Sequence, residues 1–104
     1  MRRFERRCAG LPAALRSKRR GILRLAAKHG ATHVRFFGSF ATGNVRAGSD
    51  LDLLVDMEPG RDYLDLVALW QELRVLVGRK VDVVTERGLS PFLRERILSE
   101  ARPL

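Results

Sequence analysis

Two aspartates one residue apart, Asp50-Leu51-Asp52, open an apolar run that continues through Leu53-Leu54-Val55. On a strand, residues two apart face the same way, so Asp50 and Asp52 would project side by side while Leu51, Leu53 and Val55 turn to the core. Neighbouring carboxylates repel and raise each other's pKa unless a cation sits between them. Such oxygen donors suit Mg²⁺, which takes one or two carboxylates and completes its shell with water and substrate phosphates. A third carboxylate, Asp82, interrupts the apolar Val81 and Val83-Val84, where an unpaired charge would be costly. Ten residues separate Gly38-Ser39 from Asp50. Glycine lets backbone approach phosphate closely, N–H groups at the start of a helical turn bind anions, and the serine hydroxyl adds one bond. These are the parts of two-metal phosphoryl-type transfer. Asp56 shares parity with Asp52 but lies roughly 13 Å further along an extended strand. It reads as a loop acid, and Glu58 as a solvated one.

The elements that must position these groups can be traced along the chain. Pro12 suits a first helical turn, and a helix can run from there to about His29, closed by Gly30. Leu11, Leu15, Ile22, Leu25, Ala26 and His29 share one face of it. Gly21 interrupts that helix at a cost of about 1 kcal/mol against alanine. His33 to Phe37 reads as a strand, 40–44 as a short helical turn and Leu51 to Val55 as a second strand. Pro59-Gly60 marks a turn. Residues 62–77 form the strongest helix, closed by Gly78. Its stripe of Tyr63, Leu66, Val67, Trp70, Arg74 and Val77 is widened by Leu69, Leu73 and Leu76. Most of this stripe, Trp70 included, reads as core, and its extra width can mark a partner surface. Val81 to Thr85 is a third strand, and Pro91 opens a last helix to about Ala101. The order α-β-(α)-β-α-β-α gives one α/β (α+β) domain with a three-stranded mixed sheet. Residues 1–10 are expected to be a flexible basic N-terminus, with the domain over 11–104.

The chemistry fixes the topology. Ser39 ends the first strand and Asp50 and Asp52 begin the second, so these two strands must run antiparallel to meet. Asp82 lies near the start of the third, which must therefore run parallel to the second. The 62–77 helix is a suitable right-handed crossover.

Gly38-Ser39-Phe40-Ala41-Thr42-Gly43, then Ser49-Asp50-Leu51-Asp52-Leu53-Leu54-Val55, then Val81-Asp82-Val83-Val84 resembles the minimal nucleotidyltransferases of the DNA polymerase β superfamily. The resemblance covers about residues 11–101. It implies Gly38 and Ser39 as phosphate contacts, Asp50 and Asp52 as ligands of two Mg²⁺ ions, with Mn²⁺ as an alternative, and Asp82 as ligand of the catalytic ion. Many relatives carry arginine where this chain has Thr42, which leaves Arg46 as a candidate for the phosphate charge. Many such domains resemble antitoxins paired with small helical HEPN ribonucleases, to which they transfer AMP from ATP onto a tyrosine. The resemblance therefore implies ATP or another NTP and a small HEPN-type toxin as partners.

The charge balance adds a separate signal. The net charge of +8 is concentrated at one end, where residues 1–30 carry ten Lys or Arg against the single acid Glu5. Arg16, Arg20, Arg24 and Lys28 recur every fourth residue, a solvated helix face or a surface for RNA or an acidic partner. Two other readings thus stand beside the enzyme: an antitoxin acting by contact alone, and a basic RNA-binding accessory protein. The lone Cys8 excludes an internal disulfide, and His29 and His33 lack a third ligand for zinc. No apolar run reaches the roughly 18 residues of a membrane span, and no secretory signal is evident, so a cytoplasmic location is expected.

Overall fold

A computed structural model describes residues 13–46 and 48–104, so Cys8, Leu11, Pro12 and the basic stretch 1–10 lie outside the described residues. The elements run α1 (Ala13–Arg16), α2 (Arg19–Lys28), β1 (Ala31–Phe37), α3 (Ser39–Thr42), β2 (Leu51–Met57), α4 (Tyr63–Val77), β3 (Val81–Thr85), α5 (Pro91–Glu100) and β4 (Arg102–Pro103). β1 pairs antiparallel with β2, and β2 parallel with β3, as the convergence of Ser39, Asp52 and Asp82 requires. The sheet order is β3-β2-β1-β4.

The expected three-stranded sheet is thus corrected to four. β4 pairs antiparallel with β1 through Arg35–Pro103 and Phe36–Arg102. Two residues including a proline carry no alternating pattern and lack one donor, which is why no strand was expected there. The single first helix is corrected as well. It breaks at Ser17-Lys18, where the Lys18 N–H bonds back to the Leu15 carbonyl (3.0 Å) before Lys18 opens α2. The apolar face survives the break: Leu15, Ile22 and Ala26 are all buried, so periodicity does not register it. Gly21 proves to be a packing residue, because a Cβ there would stand 2.9 Å from Leu76 Cδ2 of α4. The helix clasp is completed by Lys28, which reaches Glu72 at 2.8 Å, and by His29, bonded to the same carboxylate.

One face of the sheet buries Phe36, Leu51, Leu53, Val55 and Val81 against Ile22, Ala26, Leu69 and Leu73. α4 is anchored at its start by a capping box between Asp62 and Asp65, and its C-cap Gly78 has φ 73°. Its wide apolar stripe serves two surfaces. Leu69 and Leu73 enter the core, whereas Leu66, Val67 and Trp70 are half-buried and Tyr63 is 74% exposed. The stripe is thus core in part, as expected, while Trp70, expected in the core, is only half-buried. The opposite face of the sheet carries Asp52, Leu54 and Asp56 of β2. No helix among the described residues is long and apolar enough to cross a membrane.

Candidate active site

The strand registers bring the chemistry together. Phe37 at the end of β1 is paired with Asp52, and Asp52 with Asp82 across the parallel pair. Asp50 sits one residue before β2 rather than on it, half-buried, with the Lys80 ammonium 3.7 Å from its Oδ2. Asp52 is half-buried beneath the turn that follows β1, and Asp82 is exposed on the edge strand. The Leu51 N–H donates to the Lys80 carbonyl (3.0 Å), which locks the starts of β2 and β3 side by side.

Gly38 occupies φ 70°, ψ −146°, a region open to glycine. A Cβ at this position would also collide with the Asp52 carboxylate. Glycine is thus demanded twice, and the result is backbone laid directly against the aspartate. Ser39 opens α3, whose Phe40 is fully buried and holds this short turn on the core. The Ser39 hydroxyl is half-buried and makes no hydrogen bond to the described residues.

Electrostatically this end of the sheet is short of positive charge. Burial pushes the Asp52 carboxyl from its ordinary 3.8 up to about 6, helped by the Asp82 and Asp50 charges and a hydrogen bond with Asp82, with Lys80 pulling the other way. Among the described residues, no three His, Cys, Asp or Glu side chains form a cage able to hold an ion unaided. The donor set fits an ion that brings its own phosphate ligands: two adjacent carboxylates, a third nearby, and insufficient counter-charge.

Beside Asp52 and Asp82 opens a cleft of about 760 Å³, floored by β3 and walled by Trp70 and Leu66 of α4 and by Leu93 and Ile97 of α5. The Trp70 indole N–H donates to the Val81 carbonyl (2.6 Å), and Arg74 stacks on its ring at 4.8 Å. The sequence reading missed this cleft.

One residue stands away from its expected place, and two cations need placing beside it. Asp56 is no loop acid. It lies within β2, accepts from Arg35 at 3.4 Å and pairs with His33 at 3.2 Å. Arg35, only 6% exposed, is the buried cation that sequence reading passed over, although a charge between Val34 and Phe36 was a signal for it. Arg46 lies exposed in the loop after α3, its N–H bonded to Ser49 Oγ at 2.7 Å and its guanidinium unbonded to the described residues. Lys80 and Arg79 also stand beside the site, the latter donating to the Ser49 carbonyl at 3.1 Å.

Known proteins share this sequence pattern and this fold. The nucleotidyltransferase domain model matches residues 18–104. A Methanocaldococcus jannaschii protein, named provisionally as a protein adenylyltransferase, is 41% identical over 80% of this chain and 89% of its own length. A solved structure described provisionally as a minimal nucleotidyltransferase superposes with a TM-score of 0.78 at 54% identity, covering 86% of this chain and 92% of that one. A toxin–antitoxin structure with AMP-PNP shares the fold at a TM-score of 0.70 and 23% identity, over 81% of this chain and 69% of that one. The chain belongs to the nucleotidyltransferase domain family, whose members generally use divalent metal ions.

Proposed function

We propose that this chain transfers AMP from ATP, or a nucleotide from another NTP, onto an acceptor hydroxyl of a partner protein. The observation that carries the reading is the juxtaposition of Asp52 and Asp82, with Gly38 backbone laid against Asp52. In this reading Asp50 and Asp52 would hold two divalent ions, and Asp82 would be a further ligand of the catalytic one. Bound Mg²⁺, or Mn²⁺ in its place, would neutralise the triphosphate and lower the pKa of the attacking hydroxyl. Ser39 and the adjacent backbone orient the phosphates at the start of α3. Arg46 is free to swing toward the outer phosphates. The acceptor oxygen attacks the α-phosphorus in line, the bond to the β-phosphate oxygen breaks, pyrophosphate leaves, and the hydroxyl proton passes toward Asp82 or water. No nucleophile–base pair of the covalent kind is needed.

The partner in this reading is a small helical HEPN-type toxin that the modification silences. Support comes from the named activity of the Methanocaldococcus relative and from the toxin–antitoxin setting of a structure with the same fold. A second reading, neutralisation by contact alone, is favoured by one observation. Tyr63 and Leu93, which line the cleft, are 74% and 48% exposed, an apolar surface a protein could cover.

The test is incubation with α-labelled ATP, Mg²⁺ and the helical product of the adjacent reading frame. Label on that protein, lost with Asp50→Asn/Asp52→Asn, is the expected result. Equal labelling by the double variant would overturn the mechanism. Stable complex formation with no labelling at all would favour contact alone.

A further inference from the structure

Arg79 lies just beyond Gly78, the C-cap of α4, and its guanidinium makes two contacts at once. It lies over the Phe40 ring, 5.2 Å from the centroid, and its Nη1 donates to the Ser49 carbonyl at 3.1 Å. Phe40 is the buried anchor of α3, the turn that carries Ser39. Ser49 is the residue before Asp50. A side chain from a third element therefore ties the phosphate side of the site to the carboxylate side.

Both sides need such a tie. α3 has four residues, far below the length at which a helix persists alone. The loop that follows is exposed at Gly43, Asn44, Arg46 and Gly48. Ser49 bonds locally to Arg46, its N–H meeting the Arg46 carbonyl at 3.0 Å. The ladder to β3 begins only at Leu51, so Ser49 and Asp50 lie outside it, Asp50 with the exposed Lys80 3.7 Å away. Arginine suits the task because its planar face stacks on an aromatic ring while its edge donates directionally. An ammonium does not combine the two.

We propose that Arg79 is a positioning residue that fixes the separation between Ser39 and Asp50, so that a nucleotide–metal complex meets both in one geometry. The inference rests on the nucleotide-transfer reading of this site. Arg74 supplies the control: it is a second stacked guanidinium, in the last turn of α4 and over Trp70 rather than Phe40.

The experiment measures MgATP affinity by calorimetry and apo melting temperature for wild type, Arg79→Ala, Arg79→Lys and Arg74→Ala. Both Arg79 variants should lose about tenfold or more in affinity. Arg79→Lys should melt within a degree or two of wild type, and Arg74→Ala should bind MgATP as wild type does. Wild-type affinity in Arg79→Lys, or an equal loss in Arg74→Ala, would overturn the proposal, the latter because net charge alone would then explain it. Amide hydrogen exchange provides a readout that needs no nucleotide. In Arg79→Ala, residues 39–44 and 48–51 should exchange faster together. Unchanged exchange overturns the tie whatever the nucleotide does. Faster exchange in a protein whose wild type binds no MgATP would instead fail the transfer reading and leave the tie standing.

Discussion

β2 carries two aspartates on one face, four residues apart, and the chain treats them in opposite ways. Asp56 is matched by the buried Arg35 and by His33, and the same arginine reaches Glu86, which also takes Arg94 at 2.7 Å. Asp52 faces Asp82 and Asp50 instead, with Lys80 the cation that acts on it. One end of the sheet is neutralised internally and the other is left acidic. Internal pairing is what stability asks of a partly buried charge. Its omission at Asp52, where Gly38 is also spent on close approach, marks the end that awaits a cation from outside.

The largest effect should separate the two ends by rate. Asp52→Asn should slow transfer on the order of a thousandfold, about 4 kcal/mol of transition-state stabilisation, while the apo protein melts no lower than wild type. Asp56→Asn should do the reverse. It leaves Arg35 less than fully matched, at about 1–3 kcal/mol, a fall of several degrees in Tm for a domain this size, with transfer rate intact. A rate loss in Asp56→Asn as large as that in Asp52→Asn would erase the distinction.

The acidity of Asp52 gives a smaller, pH-dependent effect. Its folded pKa, about 6, lies above its ordinary 3.8, so between these values the folded state binds the proton and the unfolded state does not. This group's contribution to stability therefore falls as pH rises from about 4 to 6 and stays low above that. Other acids move oppositely: Asp65, held by the Asp62 backbone, and Glu72, held by Lys28 and His29, lie below their usual range. The clean readout is the melting difference between Asp52→Asn and wild type without metal, which should widen across pH 4–6 and then level. A difference that is flat from pH 4 to 7 would remove the strained carboxylate from the account.

Much of this contrast was legible in the sequence, for local reasons. Period-two spacing put Asp52 on the face away from the core, and the demand that Ser39, Asp52 and Asp82 meet fixed both strand pairings. Asp56 was misread because its role depends on Arg35. A β-bulge, with His33 at φ 51°, shifts the pairing between Thr32 and Arg35, and no composition rule announces a bulge here. β4 and the break at Ser17-Lys18 left no periodic trace. Arg79 acts across thirty residues of sequence on Ser49, and the cleft beside Asp82 exists only once α4 and α5 are placed.

The smallest effect concerns the basic helix. Arg16, Arg20, Arg24 and Lys28 are all exposed, but they do not share one helix as expected, since Arg16 ends α1 and the other three lie on α2, and Lys28 is paired with Glu72. Arg20→Glu/Arg24→Glu should leave Tm within about a degree, since exposed charges contribute little. If this face contacts RNA or an acidic partner, the change should weaken that binding at low salt. Unchanged binding there would assign the ladder to solvation.

The most direct measurement is the melting temperature with and without saturating MgATP for wild type, Asp52→Asn and Asp56→Asn. At about a hundred times the Kd, binding to the folded state adds about 2.7 kcal/mol. Wild type and Asp56→Asn should both rise by several degrees, the latter from a lower start, while Asp52→Asn should barely move. Equal rises in wild type and Asp52→Asn would contradict the claim that the acidic end of β2 is built for a metal-bound nucleotide.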